Sequence, residues 1–339
     1  MRNTALKTER IGALDFTKGA LVLIMVLYHW LNYFVSTTAD FYRYLRFLTP
    51  SFIFVTGFLI SHVYLRKYGV DDPRVPRRLI TRGVKILAVF VGLNIVRTLL
   101  ISDSRAPVMP VEAFGLNSLT AAFVTGTVMS DGGGKASSFN ILVPIGYLLL
   151  LSGGLVTLCR FYKYTFHLVC VVLIACVLLL GINGFENGYL ELLTIGLVGV
   201  TIGYIPLDAI SRCLTYRAAI AVAYLGYIGV ITAWGVTYPL QLIGVFVNLM
   251  VIYSVAEAAD GRAGEHVALL GRYSLFGYIA QIAILQVLHR SVRPVSYGTV
   301  LLVSSFIAAF GLTMISVEAL ERARSKVRIV DRVYKAVFA

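Results

Sequence analysis

Lys18 and His29 stand eleven residues apart in "LDFTKGALVLIMVLYHW", residues 14–30, the first long apolar run of the chain. On an α-helix that spacing turns about 1,100°, roughly 20° past three full turns, and climbs about 16 Å. The two side chains therefore share one face, with a cation near one end of the run and an imidazole deep within it. Such a face suits an elongated ligand with an anionic head and a reactive far end. An intramembrane histidine is costly to bury and titrates near neutral pH, which makes His29 a candidate proton acceptor or proton relay. The same residues admit a plain structural reading. Lys18 can pair with Asp15 three residues earlier while its stem snorkels, and His29 can hydrogen-bond a neighbouring helix.

The elements that must position these residues follow from hydropathy. Of 339 residues, 58% are hydrophobic and 14% charged, with a mean hydropathy of +0.82; a soluble domain carries about a quarter charged residues. The fold class is all-α, a polytopic transmembrane helix bundle. Runs near the length that crosses a bilayer predict ten helices at about 15–36, 44–65, 84–101, 139–159, 164–182, 189–209, 217–235, 240–257, 273–289 and 297–317. The runs recur from end to end with no long linker, so residues 1–339 read as a single integral-membrane domain. The first run is too long for a typical signal-peptide core, which favours a retained helix. No repeat of 20–50 residues is evident, so a solenoid is excluded and an inverted-repeat transporter is unsupported.

The formal charge of +13 sits in the gaps between apolar runs, a topological signal and no nucleic-acid footprint. With the N-terminus in the cytoplasm, every lysine and arginine falls inside except Arg43, Arg46, Arg97, Arg105, Lys135, Arg290 and Arg293. Both ends are thus expected in the cytoplasm, the C-terminal one as a basic tail over 318–339. The longest outer segment, about 102–138, is expected to be a loop with room for a re-entrant or interfacial helix. Its glycine triplet Gly132–Gly134 lacks the strand, the helix and the Gly-Lys-Ser/Thr ending of a phosphate loop. Cys159, Cys170, Cys176 and Cys213 show neither CxxC nor metal spacing and read as packing residues. No metal-ligand cluster is found, and no metal is expected.

Other polar residues have ready structural roles. Arg43 and Arg46 can anchor the outer interface or meet an anionic acceptor. Arg97 sits in the outer half of the third helix, close enough to snorkel or to contact a substrate. His62 lies near the cytoplasmic end of the second helix, where an interfacial histidine is unremarkable. Ser274, Tyr278 and Gln281 fall at i, i+4 and i+7 on one face of the ninth helix, positioned to line a tunnel or to bond neighbouring helices. Arg77, Arg78 and Arg82 form a cluster at the start of the third helix that cytoplasmic topology alone accounts for, and that also makes a plausible phosphate clamp.

Four stretches in order resemble the transmembrane acyltransferases, above all acyltransferase family 3. "LDFTKGALVLIMVLYH" is similar to that family's Arg, ten residues, His signature, with Lys18 in the Arg place, which keeps the charge and loses the planar fork. "PSFIFVTGFLIS", 50–61, resembles its Phe-Phe-x-x-Ser-Gly-Phe-Leu-Ile run, with Thr56 in the Ser place. "RVPRRLITRGVKI", 74–86, resembles its Arg-rich third-helix start. "LLGRYSLFGYIAQ", 269–281, resembles its Leu-Gly-x-x-Ser-Tyr-x-x-Tyr-Leu-x-His segment, with Gln281 in the His place. "SFNILVPIGYLLLL", 138–151, is similar to the glucan succinyltransferase and heparan-glucosaminide N-acetyltransferase groups, so the branch stays open.

The resemblance implies an enzyme of a bacterial inner membrane that moves an acyl group, usually acetyl, from cytoplasmic acyl-CoA to a hydroxyl of a glycan or related envelope acceptor. It implies His29 as base or acyl carrier, Lys18, Arg77, Arg78 and Arg82 toward the CoA phosphates, and Arg46, Arg97, Ser274, Tyr278 and Gln281 toward the acceptor or tunnel. Its partners would be the bilayer and the acceptor. Two other classes stay open: a proton-coupled transporter with His29 as relay, which calls for discontinuous helices, and an accessory protein that keeps the fold with an altered site.

Overall fold

Apolar side chains recurring along residues 12–34 form one uninterrupted helix of 23 residues, about 35 Å long and sufficient to cross a hydrocarbon core of about 30 Å. The computed structural model describes residues 12–36, 38–100, 116–124, 127–128, 135–136, 139–259, 261–292 and 298–338. Along the chain these form α1 (Gly12–Phe34), a 3-10 segment (Asp40–Leu45), α2 (Leu48–Leu59), a π-helical turn (Ile60–Leu65), α3 (Arg66–Tyr68), α4 (Arg74–Leu100) and α5 (Leu116–Val124). There follow the two-residue strands β1 (Thr127–Val128) and β2 (Lys135–Ala136), then α6 (Leu142–Cys159), α7 (Thr165–Ile182), α8 (Gly188–Ile202), α9 (Leu207–Leu214) and α10 (Arg217–Trp234). The chain closes with α11 (Tyr238–Ala258), α12 (Arg262–Arg272), α13 (Ser274–Val292), α14 (Thr299–Lys326) and α15 (Arg328–Phe338). The strands pair antiparallel, Thr127 with Ala136 and Val128 with Lys135; the rest of the regular structure is helical.

Among the described residues, eight helices are long and apolar enough to cross a membrane, or nine if one bent pair counts as a span. All ten expected runs are helical at their cores. The ninth is the second limb of that pair: α12 and α13 meet at 91° around Tyr273. The sixth, α8, has 15 residues, which by length falls short of a full crossing. The third begins ten residues earlier than expected, at Arg74, because Asp72 accepts the Arg74 backbone N–H (2.9 Å) and so closes an orphan donor at the helix start. Arg74 also grips that carboxylate through Nε and Nη2. These contacts, led by the side-chain bonds, hold Asp72 down at about 2. The outer segment, expected over 102–138, lies in large part outside the described residues; the described part contains α5.

The chain falls into two compact units. The first comprises residues 1–48 and 212–333, the second 49–211 and 334–339. In the first, α1 is the central element, packed by α11, α12, α13 and α14. Its core gathers Val26, Phe34, Leu285 and Ala309, with Trp30 and Phe310 against them. The indole N–H of Trp30 donates to Ser305 Oγ at 3.1 Å. In the second unit α4 lies along α6, and α8 packs on both α6 and α7. The Tyr147 hydroxyl donates to Phe123 O (2.8 Å) and the Tyr189 hydroxyl to Ala122 O (3.0 Å), which ties α5 to α6 and α8.

Glycines set how closely helices meet. A Cβ on Gly19 would lie 1.9 Å from Val267 O, and one on Gly271 would lie 1.7 Å from Asp15 O, so α1 and α12 touch backbone to backbone. The second unit uses the same device between α2 and α8: a Cβ on Gly57 would fall 1.9 Å from Gly196 O, and one on Gly199 would fall 2.2 Å from Phe54 O. Small residues at such crossings let dispersion replace the hydrophobic drive that lipid does not supply.

Candidate functional site

The first turns of α1 carry the cation. Lys18 Nζ lies 2.7 Å from Asp15 Oδ1, with both side chains less than a fifth exposed. The i, i+3 spacing brings them together on the helix surface. The α1–α12 crossing fixes this end of the helix, because Asp15 and Gly19 are the residues whose backbones meet Gly271 and Val267. Lys18 is thus a positioned, charge-compensated cation.

His29 lies three turns further along the same uninterrupted helix, so the shared face predicted from the spacing holds. The ring is half-buried. It meets the Tyr28 ring edge to face at 5.2 Å, and Tyr28 meets Tyr42 at 5.2 Å. The Tyr42 hydroxyl donates to Ser36 O. No hydrogen bond to His29 is formed among the described residues, so its two nitrogens are not committed to the neighbouring helices of its unit.

Gln281 is fully buried, and neither its Nε2 nor its Oε1 finds a partner among the described residues. One turn earlier on α13, a Cβ on Gly277 would meet Val22 of α1 and Val317 of α14. One turn later, Leu285 joins Val26 and Ala309. The amide therefore lies between two apolar layers where α1, α13 and α14 converge. Tyr278 is buried and Ser274, at the start of α13, half-buried. The three keep the shared helix face expected of them.

No family model matches the chain, and no curated protein or solved structure matches it significantly.

The remaining predicted residues divide between the two units. Arg46 belongs to the first unit, where its Nη1 donates to Val236 O at 3.3 Å, just past the C-terminus of α10, where cations are favoured. Arg77, Arg78 and Arg82 belong to the second unit, on the first turns of α4. Arg77 is exposed. The Arg78 guanidinium lies 4.8 Å from the Tyr68 ring centroid, and Arg82 donates to the Tyr64 hydroxyl. The cluster is therefore organised by tyrosines of the preceding helical end. Arg97 lies on α4, and its side chain is outside the described residues.

One residue that sequence reasoning set aside is His62. It sits in the π-helical turn Ile60–Leu65, 8% exposed, stacked on Phe58 at 5.1 Å and 10° between planes. A backbone hydrogen bond with Gly203 engages the ring, while Nδ1 is buried without a partner. The i, i+4 spacing of Phe58 and His62 was the available signal; the π-turn, a geometry frequent at functional sites, left none. Among the described residues there is no group of three or more His, Cys, Asp or Glu able to hold a metal.

Proposed function

We propose that the protein is a membrane O-acyltransferase that moves an acyl group, acetyl in the simplest case, from acyl-CoA to a hydroxyl of a glycan or related envelope acceptor. The observation that carries this reading is the single face of α1 with Lys18 at one end and an uncommitted His29 three turns away. The four ordered motifs support it as a resemblance. The acceptor hydroxyl attacks the thioester carbonyl while an imidazole nitrogen of His29 takes its proton. The C–S bond then breaks, and the leaving CoA thiolate recovers that proton. Lys18, held by Asp15, marks the donor end. Arg77, Arg78 and Arg82 are assigned to the CoA phosphates by resemblance and by guanidinium chemistry, and Arg46, Arg97, Ser274, Tyr278 and Gln281 to the acceptor path by resemblance.

Isotopic acetyl transfer and acetyl-CoA binding by the purified protein test this. His29→Ala is expected to lose transfer by about 100-fold or more while binding persists, and Lys18→Ala to weaken binding. Absence of any CoA binding by the wild type sinks the reading.

A second reading, a proton-coupled transporter with His29 as relay, is favoured by the 91° break between α12 and α13, since discontinuous helices are a transporter device. Proton-driven substrate flux in proteoliposomes free of CoA would select it over acyl transfer.

A further inference from the structure

The C-terminal residues, a basic tail in sequence, form a structured elbow. α14 continues to Lys326, Val327 is extended at φ −119° and ψ 107°, and α15 begins at Arg328. The turn is locked from within: Arg324 on α14 bridges to Asp331 on α15 at 2.7 Å, and it also donates to the Tyr273 hydroxyl at 2.7 Å. The acids of this region are all engaged. Glu318 meets His266 Nδ1 at 2.9 Å and Arg322 at 3.2 Å, Glu321 accepts from Tyr273, and Asp331 is held by Arg324.

Helical periodicity divides the surface of α15 into an apolar arc and a charged one. Val330, Tyr334, Val337 and Phe338 occupy one flank of the apolar arc and are half-covered. The other flank holds Ile329, 70% exposed, and Val333, 57% exposed. Four residues apart, these two share a face, and Arg328 and Arg332, both exposed, border it. Lys326, also exposed, stands at the elbow.

We infer that α15 lies in the headgroup layer of the leaflet at which α14 emerges. Ile329 and Val333 dip to the acyl boundary, and Lys326, Arg328 and Arg332 sit on the phosphates of anionic phospholipids. The occupant is set by position and charge. α14 is long and apolar enough to cross a bilayer, so a helix joined to it by one extended residue starts at the water–lipid boundary. A short helix with an open apolar strip and flanking cations is the form that binds such a boundary, and each cation strengthens attachment to an anionic surface about fivefold. The inference requires only a membrane protein and is independent of acyl transfer.

The test uses the full chain in lipid nanodiscs, with Cys159, Cys170, Cys176 and Cys213 replaced and single labelling sites made by Ile329→Cys, Val333→Cys or Lys335→Cys. An environment-sensitive fluorophore at each site is quenched by phospholipids brominated on the acyl chain, in neutral phosphatidylcholine or with a third phosphatidylglycerol. Quenching at 329 and 333 is expected to be at least twice that at 335 and to rise with the anionic lipid. Arg328→Glu with Arg332→Glu is expected to abolish that rise, with the variant remaining monodisperse. Equal quenching at the three sites, or quenching indifferent to lipid charge, overturns the proposal. Protection that appears only in discs holding two copies assigns the face to self-association instead and overturns it equally.

Discussion

Each unit contains a helix that crosses a neighbour on glycine and carries a histidine beyond the crossing. In the first, α1 meets α12 at Gly19 and Gly271 and presents His29 ten residues later; in the second, α2 meets α8 at Gly57 and Gly199 and presents His62 five residues past Gly57. The crossings are alike in closeness, but the helices behave differently beyond them. α1 stays regular, keeps an ion pair beside the crossing, and has its imidazole in ring contact, with no hydrogen bond among the described residues. α2 passes into a π-turn, and His62 is stacked on Phe58 and engaged by Gly203. The same residue type is thus stacked and engaged by a backbone group in one helix and held by ring contact in the other.

The largest expected effect separates the two histidines. His29→Ala is expected to lower acetyl transfer by about 100-fold or more with little change in thermal unfolding. His62→Ala is expected to lower the unfolding temperature through loss of a stacked, bonded ring, with smaller loss of turnover per folded molecule. Reversal of the two outcomes would place the chemistry on α2. Next come the crossings. Gly19→Ala and Gly57→Ala both force backbone atoms apart and are expected to destabilise by about 1–3 kcal/mol, measured by thermal unfolding in detergent. Only Gly19→Ala should also weaken acetyl-CoA binding in the protein that remains folded, because Asp15 and Lys18 flank the displaced backbone.

Gln281→Leu sharpens the comparison on its polar side. Replacing a buried amide that has no partner among the described residues with an apolar side chain of similar size is expected to leave stability unchanged or raise it by about 1 kcal/mol. A clear loss of stability would show that the amide is satisfied in the working protein. The smallest effect is expected at Asp72, outside the spans. Its carboxyl is depressed to about 2, so its stabilising contribution is complete above its unfolded value near 4 and is lost only as pH falls through about 2. Asp72→Asn should therefore cost a small amount of stability that does not vary between pH 5 and 8; a slope in that window would implicate another group.

Much of this arrangement was legible in the residues themselves. The Lys18–Asp15 pair and the common face with His29 follow from spacings of three and eleven, because α1 is long and unbroken. The start of α4 was missed because hydropathy scores arginines as solvent, whereas Asp72 supplies an end group for the helix and Arg78 and Arg82 lie against tyrosines. The bend at Tyr273 was missed because neither glycine nor proline occupies it. α15 was missed because eleven amphipathic residues fall below the length of a membrane span, so its charges registered and its apolar strip did not. The burial of Gln281 depends on three helices converging, which no local pattern in α13 encodes.

The π-turn at Ile60–Leu65 has a consequence for chain length. Such a turn closes its hydrogen bonds over one residue more than an α-turn. Removing one residue there would restore regular winding while the helix on either side keeps its phase, because the wide turn is the form in which one extra residue is held, so Tyr68 would stay beside Arg78. A one-residue deletion, ordinarily ruinous inside a buried helix, would at this turn be absorbed by loss of the wide turn itself. The π-turn is therefore where the chain can lose a residue without changing the register of the α2 end against α4.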